Sequence, residues 1–236
     1  MMKFLSAMTG LVGTTLVSSQ AFAKELPVPN ESWERLWDTV MLDITVIGVI
    51  MAIAAVWMLF KFRATSPDQV GTAKKLTTVQ SIAFALIPAS IFMADDFYLA
   101  ANGWTVWNDY RRVPDNAMEV KVIGYQWYFE YEYPGGVLVE ADMETPVMIP
   151  VGQPVVFRMT SEDVIHSFGI PKYRVKEDIM PGRKTYIWVN PVEAQTDGVV
   201  QCAEFCGEAH SQMSNPIHAV PQAEYNAWLA KMAAEG

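Results

Sequence analysis

The residues best suited to chemistry lie close together near the C-terminus, in the run Gln201-Cys202-Ala203-Glu204-Phe205-Cys206-Gly207-Glu208-Ala209-His210-Ser211-Gln212-Met213. Two thiols, an imidazole and a thioether fall within it. Soft thiolate and thioether donors combined with imidazole select copper over hard cations. A mononuclear electron-transfer copper site uses one Cys, two His and a weak axial Met. Here a second Cys joins that set, and His166 upstream supplies a second imidazole. Two four-coordinate copper ions offer eight positions. Two bridging thiolates fill four, His166 and His210 fill two, and Met213 fills one. The backbone carbonyl of Glu204, between the two cysteines, is placed to fill the last.

Other chemistries compete for the same residues. An exported cysteine pair is by default a disulfide, and Cys202 with Cys206 alone would be read that way. Zinc accepts two Cys and two His but gains nothing from Met213 and usually shows a tighter Cys pair. Covalent haem is excluded because no C-x-x-C-H occurs. A copper carrier or assembly chaperone would favour exposed, exchangeable ligands over a closed donor set. The formal net charge of −9 argues against nucleic acid as a partner.

Such a site needs a rigid scaffold, and the pattern from Thr105 onward supplies one. Val120–Ile123, Val137–Val139, Val155–Met159 and Tyr186–Val189 read as strands. Pro134-Gly135-Gly136, Val151-Gly152, Pro181-Gly182 and Asp197-Gly198 read as turns. An antiparallel sandwich or barrel over residues 105–236 satisfies this alternation. Past Pro221 the period changes, with Tyr225, Trp228, Leu229 and Met232 on one face of a short terminal helix. In the aromatic run Tyr125 to Tyr133, a single strand would put Tyr125, Trp127, Phe129, Tyr131 and Tyr133 on one face. From register alone that is a core-facing stripe.

The preceding residues, 24–104, read as a transmembrane hairpin. Apolar blocks centre on helices over about 38–60 and 76–98, each long enough to cross a bilayer. Lys61, Arg63, Lys74 and Lys75 against Asp68 place the connecting loop in the cytoplasm, so both outer ends face the other side. Trp33, Trp37, Trp57, Tyr98 and Trp104 fit interfacial aromatic belts. Residues 1–23 carry Lys3, an apolar run and Ala21-Phe22-Ala23, the pattern of a cleaved secretory signal. A third anchor is the alternative, and the small, Ser/Thr-rich run Thr14–Ser19 makes a weak span.

The chain resembles subunit II of bacterial and mitochondrial cytochrome c oxidases over essentially everything after the signal. The motif C-x-E-x-C-x3-H-x2-M stands intact at Cys202, Glu204, Cys206, His210 and Met213. His166 stands in Ser161-Glu162-Asp163-Val164-Ile165-His166-Ser167, and Lys176-Glu177-Asp178-Ile179-Met180-Pro181-Gly182-Arg183 and the aromatic run around Trp127 also match. The resemblance implies a two-helix anchor, a cupredoxin-like Greek-key β-barrel or sandwich, and a dinuclear copper centre called CuA. It implies Trp127 as the point where electrons from cytochrome c, or another small redox protein, come in, overriding the purely structural reading of that residue. It implies that the Glu204 carboxylate helps bind a magnesium ion facing the haem-copper catalytic subunit, within a complex of further oxidase subunits. The setting it implies is a bacterial inner membrane, with membrane lipid around the hairpin and the copper domain in the periplasm. An acidic face would dock a basic donor, and eighteen Asp/Glu against ten Lys/Arg after Thr105 agree in sign.

Three positions depart from the family pattern. Seven residues before Pro88, where many members carry a proton-uptake Glu, stands Ser81, with Gln80 beside it. Met213 is followed by Ser214-Asn215-Pro216 rather than Met-Pro, and His218 has no counterpart. The absent Glu leaves an alternative reading, the equivalent subunit of a copper-containing nitric oxide reductase.

Overall fold

The computed structural model describes residues 29–71 and 74–235, so the leader assigned to residues 1–23 lies outside the described residues. Two long helices come first, α1 (Pro29–Lys61) and α2 (Thr78–Arg111). Both are long and apolar enough to cross a membrane, and their apolar side chains point outward. A capping box opens α2. Gln80 N–H donates to Thr77 Oγ1 at 3.3 Å, and Thr77 N–H donates to Gln80 Oε1 at 3.0 Å.

Against the expected bounds of 38–60 and 76–98, α1 runs past both ends, while α2 starts two residues later and runs well past its C-terminal end. The extension of α2 also corrects the start of the β domain at Thr105. Its final turns are rich in Asn and Thr, residues that favour loops in a sequence reading. Here Asn102, Thr105 and Asn108 donate side-chain hydrogen bonds to the carbonyls of Tyr98, Ala101 and Trp104, one turn back. The helix end is also docked onto the β domain. Trp188 Nε1 donates to the Asp109 carbonyl at 3.2 Å, and Arg111 pairs with Glu177 at 2.8 Å.

Ten strands follow: β1 (Met118–Tyr125), β2 (Tyr128–Tyr133), β3 (Val137–Glu140), β4 (Val147–Pro150), β5 (Val155–Ser161), β6 (His166–Ile170), β7 (Val175–Ile179), β8 (Thr185–Val189), β9 (Gln195–Cys202) and β10 (Ser214–Val220). They form two five-stranded sheets, ordered β3-β2-β1-β5-β8 and β4-β10-β9-β6-β7. Most pairs are antiparallel, but β1 runs parallel to β5 and β10 parallel to β4. This is the cupredoxin-like sandwich expected. Strand alternation turns one face of each sheet inward, as in β1, where Met118, Val120 and Val122 are buried between exposed Glu119 and Lys121. Phe168 on β6 joins the two layers, its ring 5.3 Å from Phe129 and 5.2 Å from Phe157. The terminal helix α3 (Gln222–Glu235) covers one edge, with Trp228 packed edge-on to Tyr133 at 4.9 Å.

Two local expectations change. The aromatic run is a hairpin rather than one strand, because the chain turns at Gln126 and Trp127 between β1 and β2. Phe129, Tyr131 and Tyr133 do share the buried face, but Trp127 is at the tip, 38% exposed. Asp197-Gly198 is not a turn but part of β9. A Cβ on Gly198 would lie 2.8 Å from the Ile217 carbonyl oxygen, so this glycine permits close strand pairing. The glycines of the other three expected turns, among them Gly152 and Gly182, do take left-handed φ.

Candidate metal centre

Strands of the second sheet and the loop between β9 and β10 build the centre. Cys202 ends β9, and its amide donates to the Met213 carbonyl at 2.9 Å, closing the loop that carries Glu204, Cys206 and His210. His166 starts β6, next to β9 in the sheet. The two sulfurs stand 3.7 Å apart as free thiols, well beyond a disulfide bond of about 2.05 Å.

Each sulfur has one imidazole and one weaker donor beside it. His166 Nδ1 is 4.0 Å and the Glu204 carbonyl oxygen 3.2 Å from Cys202 Sγ. His210 Nδ1 is 3.6 Å and Met213 Sδ 3.8 Å from Cys206 Sγ. Bonds of about 2.0–2.3 Å to a shared first-row ion in near-tetrahedral geometry give donor separations of roughly 3.3–3.8 Å. The ligand atoms of His166, Cys202 and Cys206 all lie within 4.8 Å of one another. Cys202, Cys206 and Met213 are buried and His166 is wholly so, while His210 is half-exposed. The Glu204 side chain is exposed, so this residue turns its carbonyl towards the sulfurs and its carboxylate outward.

The electrostatics favour a cation. Burial resists ionisation of both thiols, but the imidazole of His166 and backbone contacts at Ser167 and Glu204 bring Cys202 down to about 6. Burial, together with the sulfur of Cys202 beside it, pushes Cys206 up to about 12. Binding of a metal to such thiols releases the protons they hold.

Asp163 and Gln126, to which the sequence alone gives no role, hold the ligands in place. Asp163 Oδ1 lies 2.7 Å from His166 Nε2, which sets the tautomer and leaves Nδ1 to face the sulfurs. Its other oxygen accepts the Gln126 amide at 2.6 Å, and Gln126 Nε2 donates to the Cys206 carbonyl at 2.7 Å. Asp163 thus ties the hairpin tip to a ligand. The three-residue spacing from Asp163 to His166 was the available signal. Two glycines admit these contacts. A Cβ on Gly124 would be 3.0 Å from the His166 ring, and one on Gly207, whose φ is +127°, would be 3.0 Å from Trp127 Nε1. Trp127 therefore lies against the backbone next to Cys206. His218 is on β10 opposite Met148, at a register shift, and is not in the cluster.

Comparison with known proteins agrees with this geometry. Residues 135–220 match the family model described as cytochrome c oxidase subunit II, periplasmic domain. Cytochrome c oxidase subunit 2 of Lachancea kluyveri is 30% identical over 97% of this chain and 99% of its own length. The alternative cytochrome c oxidase subunit 2 of Bradyrhizobium diazoefficiens is 29% identical over 84% of this chain and 80% of its own. Among solved structures, the periplasmic domain of subunit II of cytochrome oxidase from Bradyrhizobium japonicum superimposes with a TM-score of 0.50 at 28% identity, covering 52% of this chain and 99% of that one. The relative matched end to end at this identity, the domain match and the cysteine-histidine cluster converge on one assignment: the chain belongs to the cytochrome c oxidase subunit 2 family.

Proposed function

We propose that this chain is the subunit through which electrons from cytochrome c, or a similar small redox protein, reach a haem-copper oxidase that reduces oxygen. The observation that carries the reading is the paired arrangement of donors, an imidazole and a weaker ligand beside each of two sulfurs 3.7 Å apart. Cys202 and Cys206, with His166, His210, Met213 and the Glu204 carbonyl, would hold two copper ions. Copper held by thiolates in this way supplies a one-electron carrier.

The chain's own residues do the rest. Asp163 fixes the His166 ring, and burial of both sulfurs keeps water from the centre. Trp127 offers an exposed indole at the hairpin tip to a docked donor, in contact with the backbone beside Cys206. Glu140 and Asp142 line a cleft with Trp127 and Met213, giving that approach an acidic rim. On the outward side of the ligand loop, the Glu204 carboxylate is free to bind magnesium against the catalytic subunit. Residues 1–23 act as a cleaved signal, residues 24 to about 111 form a two-pass anchor, and the domain from about residue 112 lies in the periplasm. The lysine- and arginine-flanked loop between α1 and α2 supports that orientation.

The first turn of α2 bears on the reaction. Gln80 is engaged in the capping box and Ser81 carries no carboxylate, so no acid stands at this end of the helix. That observation favours a second reading, in which the same subunit serves a nitric oxide reductase.

The test is copper content and magnetic resonance of the full chain in detergent. Two copper ions per chain with one unpaired electron shared between them are expected, and Cys206→Ser should abolish that state, since one thiolate cannot bridge as two do. A mononuclear spectrum in the parent chain would sink the assignment. Gas consumption by the purified complex then separates oxygen from nitric oxide.

A further inference from the structure

At the junction of the helices with the β domain lies a cavity of about 280 Å³ that the copper reading does not use. Its walls come from α1 (Trp33), the last turns of α2 (Gly103, Trp107, Tyr110) and the β7–β8 edge. We propose that it seats the phosphate headgroup of an anionic phospholipid in the outward-facing leaflet. This rests on the two-pass topology above.

Charge is the first argument. The chain carries a net −9, yet Arg111, Arg174 and Lys176 line this one cavity against a single acid, Glu177. Arg111 is paired with Glu177 at 2.8 Å and stacked on Trp107 at 4.4 Å. Arg174 and Lys176 are exposed and take part in no ion pair among the described residues. Arg174 also borders an adjoining cleft with Glu31, Glu34 and Glu193 but closes no ion pair with them, so it and Lys176 stay open to a local anion.

Polar satisfaction is the second. The Tyr110 hydroxyl is buried and has no hydrogen-bond partner among the described residues. A buried hydroxyl left without one is destabilising. A phosphate oxygen in the cavity would accept a hydrogen bond from it.

The third argument selects a lipid over free phosphate. Below the cavity, Trp107, Trp104, Phe97 and Met93 follow one another at intervals of three, seven and four residues on α2, which keeps them on one face, and all are more than half exposed. They form an apolar stripe running from the cavity towards the middle of the span, where acyl chains would lie. Trp33 and Trp107 at its mouth are the amphipathic rings expected at headgroup level.

The intact complex, exchanged into nanodiscs of phosphatidylcholine with graded phosphatidylglycerol, tests this by native mass spectrometry of retained lipid. Phosphatidylglycerol should be retained in preference to phosphatidylcholine. Arg174→Gln and Lys176→Gln should each weaken that retention roughly fivefold, as a cation near a lipid phosphate does. Tyr110→Phe should weaken it by a similar factor, while Lys121→Gln, a cation in the β domain away from the cavity, should not. The copper absorbance of each variant checks that it is folded. Equal retention of both lipids, insensitivity to all three cavity variants, or displacement of the lipid by millimolar inorganic phosphate would each overturn the proposal. So would a cross-link from Lys176 to a carboxylate of the catalytic subunit. Selective retention in a complex without copper would leave the lipid site standing and defeat the oxidase reading.

Discussion

Ile50 and Leu59 on α1 are 60% and 73% exposed, whereas Ile149 and Ile217 in the sandwich are 0% and 1% exposed. The same aliphatic residue types are turned outward in one half of the chain and inward in the other. In the helices every backbone group is satisfied within the segment, so the apolar side chains are free to face lipid. In the sandwich the backbone groups bond between strands, and apolar side chains find burial only against the opposite sheet. Position, not composition, therefore decides what a side chain contributes. A leucine facing lipid has no water to escape from on folding, whereas Phe168 between the sheets does.

The sharpest test of that contrast is a pair of truncations in the full chain. Phe168→Ala removes the ring that contacts Phe129 and Phe157 and should destabilise the sandwich by about 3–5 kcal/mol, seen as a large fall in the β domain's thermal midpoint. Leu86→Ala on α2, 58% exposed, should shift stability by no more than about 0.5 kcal/mol. Comparable losses at both positions would break the distinction and mean that α2 is packed against protein there.

Within the sandwich, the proposed metal centre is held by a residue outside its ligand set. Asp163→Asn should lower copper affinity by about 10- to 100-fold in a competition titration, because the His166 ring loses its anchoring carboxylate. A change well under tenfold would return Asp163 to holding the hairpin alone, through the Gln126 amide.

At the hairpin tip the expected effect is kinetic. Trp127→Phe should slow electron transfer from a donor cytochrome in stopped flow while leaving copper content unchanged. Glu140→Gln, in the cleft beside it, should reduce association about two- to fivefold at low salt and flatten its salt dependence. Unaltered kinetics in Trp127→Phe would make that residue purely structural.

The smallest effect is expected where the helices are furthest from the copper. Ser81→Glu adds an acid to the first turn of α2, where the helix dipole tolerates it, and copper binding should be unchanged. If a proton path survives in the catalytic subunit, the substitution should speed haem reduction coupled to proton uptake. Loss of copper would contradict the topology, since it would put this helix end and the metal on one side.

The donor set was legible in the sequence because ligand chemistry is a property of residue type. Cys202, Cys206, His210 and Met213 are close along the chain, and one loop suffices to gather them. Hydrophobic runs and strand alternation were legible for a similar reason, since they express local periodicity. The length of α2 was not, because side chains of Asn102, Thr105 and Asn108 bonding back to the helix, and the docking of Trp188 on Asp109, offset residues that alone favour loops. Nor was the break at Gln126 and Trp127, where pairing of β1 with β2 overrides a run of strand-forming aromatics. The sequence by itself determined which atoms could bind copper and which segments could cross a membrane. Only the tertiary structure decided that Asp163 holds His166, that Trp127 rests on Gly207, and that Tyr110 faces a cationic cavity. Asp163 and His166 are only three positions apart, but Asp163 is fixed by the amide of Gln126 on the distant hairpin, and the other contacts join residues on different elements, whose distances follow from how sheets and helices pack.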